Sequence, residues 1–452
     1  MLVRIALLTT VIAAIVVGAP LAHADDIATT DITFIRSDAT TTGATVHAPA
    51  GATGRPGVVL VHGSGTSNSP QYAQVATALA REGIVALRYD KRTEDYTPAH
   101  RDYSLLADDA LAGVAALRSR PEVDPSKVGI WGLSEGGWVA PLAASRSADA
   151  AFLITIGANS GVPAAQQTWA NETRFEAAGV RGSMVDVLGR NGIRVMAGAG
   201  LFAQADYDPL PVLARIEQPV LGIWGEQDRL TPPGDSLRGF QEVFDRTGKT
   251  NYTLRTLPNA QHGGFTTTDG FDRGEELAPG YVRLMGDWVK GLPGTADASA
   301  DSPAVQGHSV TPLAPLKWWE SPTAQLIVLV GTVLALLGYA LTGFVRAWRL
   351  PSVAPARMLV AASVIGIAGA FAQLLFVASS RATQFGPLIF GRTLSWAALQ
   401  VIACCAVVAL GFVIVGRPRS RDGVGPRIRW VLVVCAGIGF TVWAVYWGLL
   451  RP

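Results

Sequence analysis

Lys127-Val-Gly-Ile-Trp-Gly-Leu-Ser-Glu-Gly-Gly137 reads as a strand that stops at a tight turn and restarts as a helix. The apolar run Val128 to Trp131 has the character of a strand buried in a parallel sheet. It ends in Gly132-Leu133-Ser134-Glu135-Gly136, which fits the pattern G-x-S-x-G. Glycine on both sides of Ser134 fits a strained turn, because a Cβ two positions away in either direction would meet neighbouring backbone. Such a turn lifts the serine Oγ to the carboxyl edge of a sheet, with helix amides just behind it.

Working outward, the flanking segments alternate between strand-like and helix-like patterns. Two short antiparallel strands are predicted at Ile32–Arg36 and Ala44–His47. Gly57-Val-Val-Leu-Val61 is a core strand that runs into His62-Gly63-Ser64-Gly65. A helix over Gln71–Arg81 follows, with Val75, Ala78 and Leu79 at helical spacing, and then a strand at Ile84–Tyr89. A helix over Leu105–Arg118 stops at Pro121; past the serine turn comes a strand at Ala151–Ile156. Residues 158 to about 212 break this rhythm. They are polar, helix-prone and too long for bare loop, so they are predicted to form a helical cap. The alternation resumes with a strand at Val220–Trp224, a helix near Pro233–Arg246, a strand at Tyr252–Leu257 and a helix near Tyr281–Lys290. Strands alternating with helices predict an α/β fold, a doubly wound sheet with right-handed crossovers.

The ends of the chain have a different character. Residues 1–24 have the parts of a secretory signal: Arg4, an apolar stretch Ile5–Val17, and the small-x-small site Ala22-His23-Ala24. Cleavage before Asp25 and retention as a signal anchor both place the succeeding domain on the outer side. The predicted α/β domain occupies 25–292, a Pro/Ala/Ser-rich linker 293–320, and a membrane domain 321–452. That last part holds apolar stretches at 323–345, 358–378, 394–415 and 430–450, each about long enough to span a bilayer. Arg346, Arg349 and Arg357 lie between the first two stretches, and Arg417, Arg419, Arg421, Arg427 and Arg429 between the last two. The middle loop has only Arg381 and Arg392. By the positive-inside rule the two arginine-rich loops are cytoplasmic, which leaves both ends of the four-helix unit outside. Trp318, Trp319, Trp348, Trp396 and Trp430 fall at predicted span ends, as an interfacial belt requires, and Gln373 and Gln400 are expected to bond between helices.

Composition removes several classes of function. In 452 residues the net charge is +2, too small to suggest a nucleic-acid partner. The mean hydropathy of +0.29 reflects apolar residues concentrated after residue 320. All three cysteines, Cys404, Cys405 and Cys435, fall there too, so the preceding domain has no thiol for a disulfide or a nucleophile. The histidines have no metal-ligand spacing, and no cofactor is implied. Spans without intramembrane Asp, Glu, Lys or His disfavour transport.

Acyl transfer through serine needs a base, a carboxylate to orient it and donors for the oxyanion. After Ser134 come Asp228, in Trp224-Gly-Glu-Gln-Asp228, and His262, in Asn259-Ala-Gln-His-Gly-Gly264, both where predicted strands end. Glu226 is the competing acid. With His62-Gly-Ser-Gly65, Leu87-Arg-Tyr-Asp-Lys-Arg92 and Leu106-Ala-Asp-Asp109, these motifs resemble the α/β-hydrolase superfamily. The nearest likeness is to its bacterial carboxylesterases, related to dienelactone hydrolases and prolyl-oligopeptidase-like enzymes. It covers roughly residues 31 to 291. The sequence departs from the pattern at Thr93-Glu-Asp-Tyr-Thr-Pro98 and at Thr66-Ser67-Asn68, loops that border the pocket in such folds.

The resemblance implies Ser134 as nucleophile, His262 as general acid and base, and Asp228 as its orienting partner. Backbone N–H groups of Glu135 and Ser64 would hold the oxyanion, with Gly63 as the alternative second donor. Glu135 could touch substrate, or serve packing or face solvent. His62 is expected to be structural with its ring bonded to backbone, His47 and His100 to lie on the surface, and Asp90 to pair with Arg88 or Arg92. The function expected is an extracytoplasmic serine esterase or thioesterase tethered to the cytoplasmic membrane, with a small or lipid-like ester as substrate and the bilayer as partner. A peptidase or acyltransferase is the enzymatic alternative, and a non-catalytic sensor or adaptor the alternative of another class.

Overall fold

The computed structural model describes residues 27–65, 70–292, 298–345, 350, 353–380, 382–419 and 423–452. The signal segment, Thr66-Ser67-Asn68, Arg346, Trp348, Arg349, Arg381 and Arg421 lie outside the described residues. The first part of the chain is a nine-stranded sheet in the order β1-β2-β4-β3-β5-β6-β7-β8-β9. Its strands are β1 Ile27–Ile35, β2 Thr41–Pro49, β3 Arg55–Val61, β4 Val85–Tyr89, β5 Val123–Leu133, β6 Leu153–Ile156, β7 Val220–Gly225, β8 Tyr252–Leu257 and β9 Ser299–Ala300. β1 and β2 are antiparallel, β2 meets β4 antiparallel, and every later pairing from β4 to β9 is parallel.

Period-two alternation explains why β3 and β5 read as unbroken apolar runs. Val59, Val61, Val128 and Ile130 point into one core, and Val58, Leu60, Trp131 and Leu133 into the other. Helices cover both faces. α2 Tyr103–Arg118, α3 Gly136–Ala144 and α7 Pro233–Thr247 close the first core, while α1 Pro70–Arg81 and α8 Tyr281–Lys290 close the second. α2 begins two residues before the predicted Leu105, because Asp102 caps it by accepting from Ser104 N–H at 2.7 Å.

Between β6 and β7 the chain forms α4 Pro163–Ala177, a π-helical segment Val185–Asn191, α5 Gly192–Gly198 and α6 Leu210–Leu213. After the sheet come four helices long and apolar enough to cross a membrane: α9 Pro322–Thr342, α10 Val353–Ser379, α11 Leu394–Val415 and α12 Val424–Tyr446. Glycines let them approach closely: a Cβ on Gly366 would meet Phe440 at 2.8 Å, and one on Gly369 would meet Leu399 at 2.4 Å. α12 starts earlier than the predicted span, so Arg429 sits inside the helix over the Tyr339 ring rather than in a loop.

The four-helix unit and the cap share one apolar core. Phe175, Val180, Met184, Val187 and Leu188 of the cap pack with Val377, Phe385, Trp396 and Leu449. Polar contacts lock this seam. Ser183 N–H donates to the Pro452 carbonyl at 2.9 Å, Ser183 Oγ donates to the Gly448 carbonyl at 2.8 Å, and Arg181 N–H donates to the Gly391 carbonyl at 2.7 Å. The C-terminus and the turn between α10 and α11 therefore lie on the same side of the helices as the sheet domain. Trp396 is a correction to the interfacial reading: it is 2% exposed, and its indole N–H donates to Ser183 Oγ at 3.2 Å. Trp318 and Trp319 are exposed. Gln373 and Gln400 do bond across elements: Gln373 Oε1 accepts from Ser395 at 2.7 Å, and Gln400 Nε2 donates to the Arg451 carbonyl at 2.6 Å.

The segment between the two parts has little regular structure, yet it is fastened down. Beside β9, Thr256 N–H donates to Asp301 Oδ2 at 3.0 Å. Gln306 Oε1 accepts from Gly234 and Asp235 N–H at 2.9 and 3.0 Å, and Trp169 Nε1 donates to the His308 carbonyl at 2.8 Å. Arg194 binds the Ala314 and Pro315 carbonyls and pairs with Glu320 at 2.9 Å.

Candidate active site

Ser134 sits where β5 meets α3, at φ +57°, in the left-handed region that non-glycine residues seldom occupy. The turn is held by Ser134 N–H donating to the Ile156 carbonyl at 3.1 Å and by Gly137 N–H donating to the Ser134 carbonyl at 2.7 Å. The flanking glycines are required by contact. A Cβ on Gly132 would lie 2.1 Å from the Gly136 carbonyl oxygen, and one on Gly136 would lie 2.5 Å from that of Val61. Strain of this kind persists only where the surroundings over-determine it.

Asp228 follows β7, and His262 sits in the loop after β8. His262 Nδ1 lies 2.7 Å from Asp228 Oδ2. The other carboxylate oxygen accepts from Leu230 and Thr231 N–H, each at 2.8 Å, so the buried acid is held at both ends. Glu226 is directed elsewhere, accepting from Asn259 N–H at 3.3 Å. Gly157 leaves room for the imidazole: a Cβ there would stand 2.7 Å from His262 Nδ1. Ser134 and His262 line one cavity of about 310 Å³ together with Gly63, Ser64, Tyr72 and Arg174.

Of the two alternatives for the second oxyanion donor, Gly63 is already engaged, its N–H donating to Tyr72 Oη at 2.9 Å. Among the described residues, neither Ser64 N–H nor Glu135 N–H has an intramolecular acceptor. Both amides belong to an arrangement built around the Glu135 carboxylate, which is 1% exposed. Lys91 Nζ meets Glu135 Oε1 at 2.6 Å and Tyr96 Oη donates to the same oxygen at 2.7 Å, while Arg101 Nη1 takes the other at 2.7 Å. Burial pulls the Lys91 ammonium below its ordinary range, and the adjacent Glu135 carboxylate opposes this. Lys91 also donates to the Gly63 carbonyl at 2.7 Å. That carbonyl and the Ser64 N–H belong to one trans peptide, so fixing the oxygen aims the N–H the opposite way. Lys91 therefore ties both oxyanion-donor candidates together. In the sequence Lys91 stands inside the Leu87–Arg92 motif with nothing to mark this role, Tyr96 is placed only as part of a loop expected to border the pocket, and Tyr72 and Arg101 carry no signal at all.

Three sequence expectations need correction. Arg92 forks onto Asp109, with both contacts at 2.7 Å, and reaches Asp38 rather than Asp90. His47 is buried, not on the surface, with its ring nitrogens against Thr77 Oγ1 at 3.1 Å and Arg88 Nε at 3.2 Å. His62 is structural, but through packing: its ring sits edge-on to Tyr72 and Tyr89, and Nδ1 has no partner among the described residues. Burial pushes its pKa down to about 3, so it stays neutral. His100 is exposed, as expected.

The profile of the prolyl oligopeptidase family matches residues 105–278, a span that contains the serine turn, Asp228 and His262. This part of the chain has the α/β-hydrolase fold. The chain is similar to a polyketide transferase of Penicillium crustosum, 37% identical over 89 residues, which cover 19% of this chain and 29% of that protein. Esterase EstD of Thermotoga maritima is 36% identical over 117 residues, covering 24% of this chain and 28% of the esterase. The chain thus spans less than a third of the length of either relative. Among solved structures, the dienelactone hydrolase of Anabaena variabilis aligns with 58% of this chain and 97% of its own, at 19% identity and a TM-score of 0.39.

Proposed function

We propose that the protein is a serine hydrolase that cleaves carboxylic or thioesters through an acyl-enzyme, held by α9–α12 on the outer face of a membrane. The observation that carries this reading is the buried Asp228–His262 pair at 2.7 Å, with His262 lining the same cavity as Ser134 on its strained turn. In the proposed reaction, Ser134 Oγ attacks the carbonyl carbon while His262 takes its proton. Negative charge gathers on the carbonyl oxygen, facing the Glu135 and Ser64 N–H groups. The bond to the leaving oxygen or sulfur breaks, and His262 returns the proton to it. A water molecule then loses a proton to His262, attacks the acyl carbon and releases the acid, and Ser134 regains its hydrogen.

The charge in the pocket supports an ester over a peptide with a free amino terminus. Such a peptide needs an available carboxylate. A second cavity, of about 570 Å³, also meets Ser64 and Ser134, and the acid that lines it is Glu135, already neutralised by Lys91 and Arg101.

The test is labelling of intact spheroplasts with a fluorophosphonate, comparing wild type with Ser134→Ala. Labelling from outside that vanishes in the variant is expected. A folded, inserted wild type that takes no label would overturn the reading.

A further inference from the structure

The cavity above Ser134 has two chemically distinct ends. It measures about 570 Å³, and Ser64, Ser134 and Glu135 line one side. Leu374, Val377 and Ala378 of α10, with Ala382 just beyond it, line the other. Positions 374, 377 and 378 share one helix face, so a single apolar stripe of a membrane-type helix forms that wall. The polar lining groups Arg101, Glu135, Gln166, Asn171 and Arg174 belong to the hydrolase domain and its cap. At Leu188 and Leu374 the cavity adjoins a narrow recess of about 40 Å³, walled by Val187, Phe371, Trp396, Trp443 and Trp447. Phe371 precedes the end of α10 by eight residues, so the recess reaches roughly 12 Å along the helix. Beside it, Phe371, Leu375 and Phe376 remain exposed on the outside of α10.

We infer that the ester is an amphiphile drawn from the bilayer, its acyl chain lying along the α10 stripe toward the Leu188–Leu374 junction while its carbonyl rests at Ser134. This rests on the serine-hydrolase reading and specifies its substrate class. The apolar wall suits a hydrocarbon chain. Displacing water from it favours the chain in proportion to the apolar area buried. A small polar ester would meet only the serine end and would leave the α10 wall wet. The shared core of cap and helices also fits: Val187 and Leu188 of the cap pack in one core with Val377 of α10, which holds the serine pocket against that helix.

The test uses the full chain in lipid nanodiscs, with p-nitrophenyl acetate and p-nitrophenyl dodecanoate as substrates. Wild type is expected to show a kcat/KM at least tenfold higher on the dodecanoate. Leu374→Trp, which plugs the junction, should lower the dodecanoate-to-acetate ratio at least tenfold. A ratio near one in wild type, or a ratio unmoved by Leu374→Trp, overturns the inference. A second measurement needs no variant. Wild type is labelled with a dodecyl fluorophosphonate bearing a terminal diazirine, irradiated and digested. Cross-links in peptides holding Leu188, Phe371, Leu374 or Trp447 are expected, and cross-links confined to the Gln261–Phe271 loop overturn it. If acetate is hydrolysed in a Ser134-dependent manner without chain-length preference, only this inference falls. If wild type neither hydrolyses acetate nor takes the probe, the parent reading falls as well.

Discussion

Lys91 touches no reacting atom in the scheme proposed for Ser134, yet it holds the Gly63 carbonyl at 2.7 Å and the Glu135 carboxylate at 2.6 Å. Lys91→Met keeps the stem of the side chain and leaves Glu135 paired with Arg101, so the fold should survive. The Gly63–Ser64 peptide would lose its anchor. Losing one oxyanion donor outright costs about 10²–10³ in kcat, so loosening one should cost about tenfold to a hundredfold, with KM changed less than threefold. Steady-state kinetics on a short ester checks this split, and a kcat equal to wild type would sink it. At this scale Ser134, Asp228 and His262 were legible because each stands at a strand end in a recognisable local pattern. The Glu135 cluster was not. Its partners Lys91, Tyr96 and Arg101 lie 34 to 44 residues away in sequence, and only the fold brings them to one carboxylate. His47 misled for the same reason: in sequence it ends a strand, and only the fold brings Thr77 of α1 and Arg88 of β4 against its ring.

At the scale of elements, the sheet was readable because β3, β5, β6 and β7 are buried on both faces and announce themselves as apolar runs. The cap was readable as helical but not as to what it covers. Phe175, Val180, Met184, Val187 and Leu188 are scattered among polar residues, and the surface they pack against comes from the far end of the chain, beyond α9. Removing residues 318–452 should therefore leave the sheet intact and strip this face bare. The truncated protein is expected to bind the dye ANS strongly and to self-associate on size exclusion, where the full chain in nanodiscs does neither. A monodisperse truncated domain with no dye binding would show that the cap does not depend on the helices.

For the molecule as a whole, acid is the expected weak point of the fold. His62 is held neutral with a pKa of about 3, and burial, with Arg88 beside it, also lowers His47. The unfolded chain takes up protons below about pH 6.5 that these folded imidazoles refuse, so their burial is free of penalty above that pH. Stability should then fall as pH drops from about 6.5 toward 3. Thermal unfolding at pH 7.5 and pH 5 is expected to show a lower Tm in acid, and His62→Phe, which keeps the ring between Tyr72 and Tyr89, should shrink the difference. An equal drop in the variant would remove His62 from the account.

The fastened segment between β8 and α9 has a consequence for how the protein meets its surroundings. A loose tether would let the hydrolase domain swing through a volume and sample solutes at a range of heights. Here Asp301, Gln306, His308 and Glu320 are each bonded to the sheet domain or the cap. The serine is accordingly fixed at one altitude over the helices, as a reading head is fixed over a disc. For a substrate carried in the leaflet, as inferred above, encounter becomes a planar search for a serine held at constant height. Turnover then follows crowding within the sheet of lipid rather than abundance in the surrounding water.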